Sequence, residues 1–352
     1  STTMASATQL GLRNRIINGA MVIDQLNAGA LITPTNDSTG VDRWKFNMSV
    51  ASKYTAQQVT DAPSGFSNSL KLTSSSAYTV GASELFATMQ PIEGFNFYDL
   101  SFGTASASAV TISFWVKSSL TGNFGGSLSN YAQTRFYPFS YSISSANTWE
   151  RKTITIAGDT GGTWVGATNA GAAYLWFSIG AGSSFSQTAG AWTGSSGYSA
   201  TGSVSVVGTN AATWQLTGVQ LERGSAASPF DWRPYPVELA MCQRYYSKTY
   251  MQNVVPATDT VVGLYQTMNG QDGNQIGGPR WKQTMRAAPT VVVYAKNGTA
   301  ASISATNYAT APNAASWVAT DISDDGARII VGTGGLTAAT AYNFHYTASA
   351  EL

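Results

Sequence analysis

The segment Thr111-Ile-Ser-Phe-Trp-Val-Lys117 decides the fold class. Its apolar residues alternate: Ile112, Phe114 and Val116 turn to one side, and Ser113, Trp115 and Lys117 to the other. A two-residue period belongs to a β-strand with one buried face. Thr153-Ile-Thr-Ile156 repeats the pattern, and Trp214 to Leu221 repeats it again. Tyr174-Leu-Trp-Phe-Ser-Ile179 is almost continuously apolar, as in a strand covered on both faces. Gly, Ser, Asn and Thr separate these runs, and helical periodicity is scarce. The chain therefore reads as all-β, a sandwich or barrel.

Outward from these strands, Gly180 to Gly202 has the composition of a loop yet carries Trp192 and Tyr198. Such rings on a Ser/Gly background pack or bind something. Pro229-Phe-Asp-Trp-Arg-Pro-Tyr-Pro236 holds three prolines in eight residues, which no central strand accepts, so a boundary falls here. Val237 to Tyr246 is the best helix candidate. Pro236 suits a first helical position, and Glu238 suits the positive end of the helix. Leu239, Cys242 and Tyr246 fall on one stripe. Strand patterns then return over Val261–Gln266, Thr290–Tyr294, Trp317–Ile322 and Arg328–Val331. They close with Ala341–Thr347, where Tyr342, Phe344 and Tyr346 share a face.

Composition excludes several function classes. Of 352 residues, 11% are charged and 12% aromatic, the reverse of a disordered chain. The net charge of +1 and the absence of a Lys/Arg run argue against nucleic acid. No apolar run approaches the roughly 18 residues that span a bilayer, so no membrane insertion is expected. One cysteine, Cys242, and one histidine, His345, exclude an internal disulfide and a Cys/His zinc site. No cofactor is expected. The opening Ser-Thr-Thr-Met-Ala-Ser lacks the regions of a secretory signal, so synthesis in a cytoplasm is expected.

Several blocks together carry a family resemblance. Asn14-Arg-Ile-Ile-Asn-Gly-Ala-Met-Val-Ile-Asp24, Val41-Asp-Arg-Trp-Lys-Phe46, Leu216–Gly224 and Ser228–Pro234 resemble the first and last strands of carbohydrate-binding-module jelly rolls. With Gln90-Pro-Ile-Glu-Gly94, Ser113–Ser118, Cys242-Gln-Arg-Tyr-Tyr246 and Met285–Thr290, the order is similar to that of bacteriophage tail-fibre-like virion proteins. The resemblance spans nearly the whole chain. It implies an N-terminal attachment segment at 1–13 that meets other virion proteins, and a carbohydrate-binding-module-like jelly-roll β-sandwich at 14–235. A short linking helix at a trimer axis (236–249) and a smaller receptor-binding β-sandwich (250–352) would follow. It further implies a homotrimeric virion protein, made in the host cytoplasm, that recognises host cell-surface polysaccharide. Leu239, Cys242 and Tyr246 would face the threefold axis. Relatives of this kind often hold calcium on carboxylates near the Asn-Gly pair and in the last strand. Ala20, Val22, Thr217 and Gly218 stand there, so no metal is expected.

Sugar binding in such modules uses aromatic faces. The candidates are Trp115, Trp149, Trp164, Trp192 and Tyr198 in the first region, and Trp281 and Tyr308 in the second. Each has a plainer reading as a core ring or subunit contact, because large aromatics are mostly buried. Asp321-Ile-Ser-Asp-Asp-Gly326 reads as a hairpin turn in preference to a calcium loop, lacking the EF-hand spacing. No catalytic residue stands out. No pair of acids sits at neighbouring strand positions as glycosidases need, and no Gly-x-Ser-x-Gly elbow supports a triad through His345. The chain is expected not to be an enzyme. A capsid decoration or head-fibre protein, a polysaccharide depolymerase and a free-standing lectin are the alternatives.

Overall fold

The computed structural model describes residues 13–268, 275–305, 317–331 and 341–352. These fall into two compact units. The first comprises the described residues up to Val22, then Leu31–Arg233 and Leu352; the second comprises Ile23–Ala30 and Pro234–Glu351.

The first unit is a jelly-roll β-sandwich. One five-stranded antiparallel sheet runs in the order β1 (Lys45–Met48), β4 (Leu85–Glu93), β9 (Gly171–Ala181), β6 (Gly122–Asn130), β7 (Phe136–Ile143). The other runs β2 (Tyr54–Val59), β3 (Ser69–Ser74), β12 (Thr213–Arg223), β5 (Val110–Ser118), β8 (Glu150–Ile156). Two short strands, β10 (Ser186–Gln187) and β11 (Ser199–Ala200), pair in parallel. The alternation in Thr111–Lys117 is borne out: Ile112, Phe114 and Val116 are fully buried, and Trp115 and Lys117 face outward. Phe177 lies at the centre of the core. Its ring packs against Trp44, Phe114, Phe139 and Trp214, with centroids 5.0–6.2 Å away.

The blocks that carry the resemblance serve as staples between strands. Asn14 Oδ1 accepts the N–H groups of Ile16 and Leu221, and its Nδ2 donates to the Val219 carbonyl at 3.0 Å. Gln90 exchanges two 2.8 Å hydrogen bonds with the Ile17 backbone. Gly19 is required by close approach: a Cβ there would stand 2.1 Å from the Val219 oxygen. Buried polar side chains thus meet the backbone groups of an irregular entry segment, which would otherwise be left unsatisfied.

The second unit is smaller. It opens with α1 (Tyr235–Gln243). Its main sheet gathers β13 (Tyr246–Lys248), β14 (Tyr265–Met268), β16 (Thr290–Tyr294) and β17 (Ser304–Ala305) around the long β20 (Ala341–Ser349). A three-stranded sheet joins β15 (Gln275–Ile276), β19 (Arg328–Val331) and β18 (Trp317–Thr320). Tyr342, Phe344 and Tyr346 enter one core with Trp281, Val293 and Trp317, as their alternation requires. The Asp321–Gly326 turn joins β18 to β19, with Thr320 opposite Arg328. Asp321 pairs with Arg328 at 2.5 Å, and Asp325 pairs with Arg280.

Three expectations are corrected here. The helix is shorter than 236–249, because the chain leaves it at Arg244 and pairs with β20 from Tyr246 onward. Tyr246 is therefore a strand residue, off the helical stripe, and both it and Cys242 are buried within the chain. Finally, residues 23–30 belong to the second unit, where Gln25 Nε2 donates to the Tyr246 carbonyl at 3.1 Å and Lys248 Nζ donates to the Gln25 carbonyl.

His345 is expected to make the second unit sensitive to pH. Its ring stacks on Tyr250 with centroids 3.8 Å apart. Nδ1 meets the Thr249 hydroxyl at 2.9 Å and Nε2 meets the Thr260 carbonyl at 3.2 Å. The Thr249 hydroxyl oxygen already accepts the Tyr346 N–H, so the arrangement suits a neutral ring protonated on Nε2. Burial pushes the His345 pKa below its ordinary 6.5. The unfolded chain then takes up the proton first as pH falls. Stability is whole above about pH 6.5 and declines below it. Thermal melts from about pH 7.5 down to about 5.5 should show the second unit losing stability, and His345→Gln should flatten that slope.

Candidate functional site

The outer face of the β1-β4-β9-β6-β7 sheet carries a groove of about 370 Å³, a size typical of small-ligand sites. Alternation builds it. Along β9, Leu175, Phe177 and Ile179 enter the core, which turns Tyr174, Trp176 and Ser178 to the other face. Register places Met89, Trp176, Ser127 and Pro138 in one cross-strand row, and Pro91, Tyr174 and Ser129 in the next. Small residues there (Ala87, Ser127, Ser129, Ser178) keep the floor low.

The loop after β9 walls this floor. Phe185 and Tyr198 come back over the sheet, and Tyr198 meets Trp176 edge-on at 5.0 Å and Phe185 at 5.4 Å. Gly125 permits the crossing: a Cβ there would stand 2.3 Å from Ser199 Oγ and 2.7 Å from the Ala200 nitrogen. Tyr131 stacks on Tyr174 at 4.7 Å, and Trp176 Nε1 donates to Ser129 Oγ at 3.0 Å. The Tyr198 hydroxyl donates to Gln133 Oε1 at 2.7 Å, from the β6–β7 turn.

The rim is polar. Asn36, Asp37, Asn47, Ser49 and Gln133 line it. Asp37 adopts φ 65°, a left-handed conformation that Asp tolerates. Its N–H is held by the Phe46 carbonyl at 2.8 Å, and Asn36 Oδ1 accepts the Met48 N–H. Asp37 is the only carboxylate among the lining residues, and Lys45 neutralises it at 2.7 Å. Burial and then the Tyr131 hydroxyl drive the Tyr174 phenol well above its ordinary range, and burial raises Tyr198 too. Both phenols stay protonated and able to donate. The groove thus offers aromatic faces, hydroxyls and amides, with little net charge.

Of the candidate ligand-binding residues that are described, only Tyr198 reaches this groove. Trp164 and Trp192 form a separate cluster with Phe97, Phe102 and Tyr137. Their ring nitrogens are satisfied by Asp159 Oδ2 at 3.1 Å and the Ala157 carbonyl at 2.7 Å. Asp159 is also held by Arg135. Burial raises its carboxyl pKa, but the bonds from Arg135, Gly161 and Trp164 outweigh that and lower it overall. Trp115 and Trp149 lie on the opposite sheet. Trp281, a candidate ligand ring in the sequence, is a core ring, 6% exposed, with Nε1 bonded to the Ser323 carbonyl. Tyr308 lies outside the described residues. Leu239 is half-buried on α1. Tyr174 and Trp176 were missed as site residues because a covered strand hides its second face. The signal was there: the two rings of the second face carry polar atoms, whereas the core-facing Leu175, Phe177 and Ile179 have none.

Among the described residues, no group of three or more His, Cys, Asp or Glu side chains could hold a metal ion, and no helix is long and apolar enough to cross a membrane.

No family model and no curated protein matches the sequence. Solved structures similar in fold include the enzymatically active domain of tailspike protein 4 from bacteriophage CBA120, at 14% identity and a TM-score of 0.33 over 60% of this chain and 21% of that one. A putative sugar-binding protein from Bacteroides thetaiotaomicron is 10% identical, with a TM-score of 0.36 over 60% of this chain and all of its own. The family 11 carbohydrate-binding module from Clostridium thermocellum is 12% identical, with a TM-score of 0.30 over 55% and 96%. Scores this low do not transfer a ligand from one chain to another.

Proposed function

We propose that the first unit is a non-catalytic glycan-binding module whose ligand lies in the groove over Tyr174, Trp176 and Tyr198. The observation that carries this reading is the lining itself. Aromatic rings suit the C–H faces of sugars, and the amide and hydroxyl rim suits their hydroxyls. A lone, ion-paired carboxylate does not meet the two-acid requirement of glycoside hydrolysis. A glycan array probed with the whole chain tests the reading. Saturable binding to a defined set of glycans, lost in Tyr198→Ala, supports it; sustained release of reducing ends from a bound polysaccharide would replace it with a depolymerase.

We further propose that the chain is a tail-fibre-like virion protein that recognises host surface polysaccharide and works as a homotrimer. Its ordered sequence blocks support this. With Cys242 and Tyr246 buried, the subunit contact of this reading would use the helix face that bears Tyr235, 49% exposed, and half-buried Leu239 one turn on. Sedimentation at about micromolar concentration should return three times the chain mass; a stable monomer overturns the trimer. Mass spectrometry of purified virus particles tests the location, and absence from them favours a free lectin.

A further inference from the structure

The second sheet of the first unit presents different chemistry on its outer face. Register aligns Gln57, Lys71, Gln215 and Lys117 in one cross-strand row. The neighbouring row holds Thr217, Trp115 and Arg151. Asp61 organises one end. Its carboxylate pairs with Lys117 and accepts the Gln215 amide and Trp149 Nε1, both at 3.2 Å. The Lys117 ammonium lies 5.2 Å from the Trp149 ring centroid, a cation–π distance.

The other end is apolar and built on a bulge. The β12–β5 register shifts between Thr217 and Gln220, and Gly218 there has φ 61°. A Cβ at Gly218 would meet Phe66 Cζ at 2.7 Å and Trp115 Cδ1 at 3.0 Å, so both rings rest on this glycine. Phe230 and Trp232 pack on Phe66 at 5.2 and 4.8 Å. Trp232 remains 54% exposed.

We propose that this face is a second saccharide site, distinct from the groove, and that it takes an acidic polysaccharide. Trp115, Trp149 and Trp232 offer ring surface to sugar faces. The two rows hold three cations, Lys71, Lys117 and Arg151, of which Asp61 pairs with one. The nearby carboxylates Glu222 and Asp231 are occupied by Gln220 and Ser228 and by the Arg13 and Asn14 N–H groups, so the rows keep positive charge. Arg151 is exposed and spends one guanidinium nitrogen on the Ser228 carbonyl at 3.0 Å, which leaves the fork able to bond a sugar carboxylate. Charge also selects against a second copy of the chain as occupant. A twofold contact through this face would bring the three cations against their own counterparts. A neutral glycan would offer no anion to Lys71 or to the outer nitrogens of the Arg151 fork.

Affinity electrophoresis of the whole chain through gels containing polygalacturonate, polysialic acid or hyaluronan, beside neutral dextran, tests the proposal. Retardation is expected in at least one acidic gel and not in dextran, and it should vanish at about 1 M salt, where the screening length shrinks to about 3 Å. Trp115→Ala and the surface pair Lys71→Gln/Arg151→Gln should each weaken it at least about tenfold. Tyr198→Ala should leave it unchanged, which separates this site from the groove. The charge pair guards against misfolding, and its thermal melt should match the parent. Passage unretarded through all three acidic gels overturns the proposal. So does retardation lost only in Tyr198→Ala, or a dimer in sedimentation that the Trp115 variant abolishes.

Discussion

Tyr198→Ala is expected to weaken glycan binding between about tenfold and a hundredfold, or about 1.4–2.8 kcal/mol. Tyr198 is the half-buried ring that roofs Trp176, touches Phe136 and Phe185, and holds Gln133 at the rim. Its loss removes a stacking surface and frees a rim amide together. Tyr198→Phe separates the two effects. It keeps the ring and deletes the 2.7 Å bond to Gln133, so a several-fold loss is expected, equivalent to about 1 kcal/mol. Titration calorimetry with a glycan selected from the array measures both. Equal affinity in the parent and Tyr198→Ala would remove the groove from the binding site.

Phe177→Ala should produce the largest loss of stability, about 3–5 kcal/mol. Phe177 is fully buried, and four aromatic rings from both sheets close around it. Those rings are too stiff to collapse into the space it leaves, so the cavity cost adds to the transfer cost. In a unit of this size, each kcal/mol moves the midpoint by about 2–4 °C, so a drop of about 10 °C is expected in calorimetry. Ser178→Ala on the same strand removes only the Oγ that accepts the Gly180 N–H at 3.3 Å and should cost about 1 kcal/mol, far less than Phe177→Ala.

The two strands that define the first unit differ in how much of them could be read. Thr111–Lys117 alternates cleanly, so both its core face and the outward position of Trp115 were legible. Tyr174–Ile179 is apolar on both faces, so periodicity alone could not say which rings form the core. Burial along β9 confirms that the strand is covered. What covers the Tyr174 and Trp176 side is a loop returning from residues 183–200, a non-local contact that no local pattern encodes. Trp164 and Trp192 lie away from the groove for the converse reason. Their Gly-rich surroundings look like open loops, yet three other rings, Phe97, Phe102 and Tyr137, pack against them from distant positions and leave them half-buried.

The second unit shows the same division. The Tyr342, Phe344, Tyr346 face was plain from its period of two. The helix stripe through Leu239, Cys242 and Tyr246 was regular enough to suggest a longer helix, but strand pairing with β20 offered Tyr246 and Lys248 backbone partners that a helix extension would have forfeited.

By itself, then, the order of residues determined an all-β chain with a break near Pro229–Pro236, the inward faces of its alternating strands, and a sparse, nearly balanced charge. These depend on spacing along one strand and on composition, both local quantities. Tertiary structure alone decided that residues 23–30 belong with the second unit and that Tyr174, Trp176 and Tyr198 share a groove. It also decided that Trp115, Asp61 and Trp232 share a face. A binding surface is made where segments far apart in the chain are brought side by side. That placement is set by register, by a bulge at Gly218 and by a glycine at 125 that lets a loop cross a sheet, all of them interactions between strands that the period of a single strand does not contain.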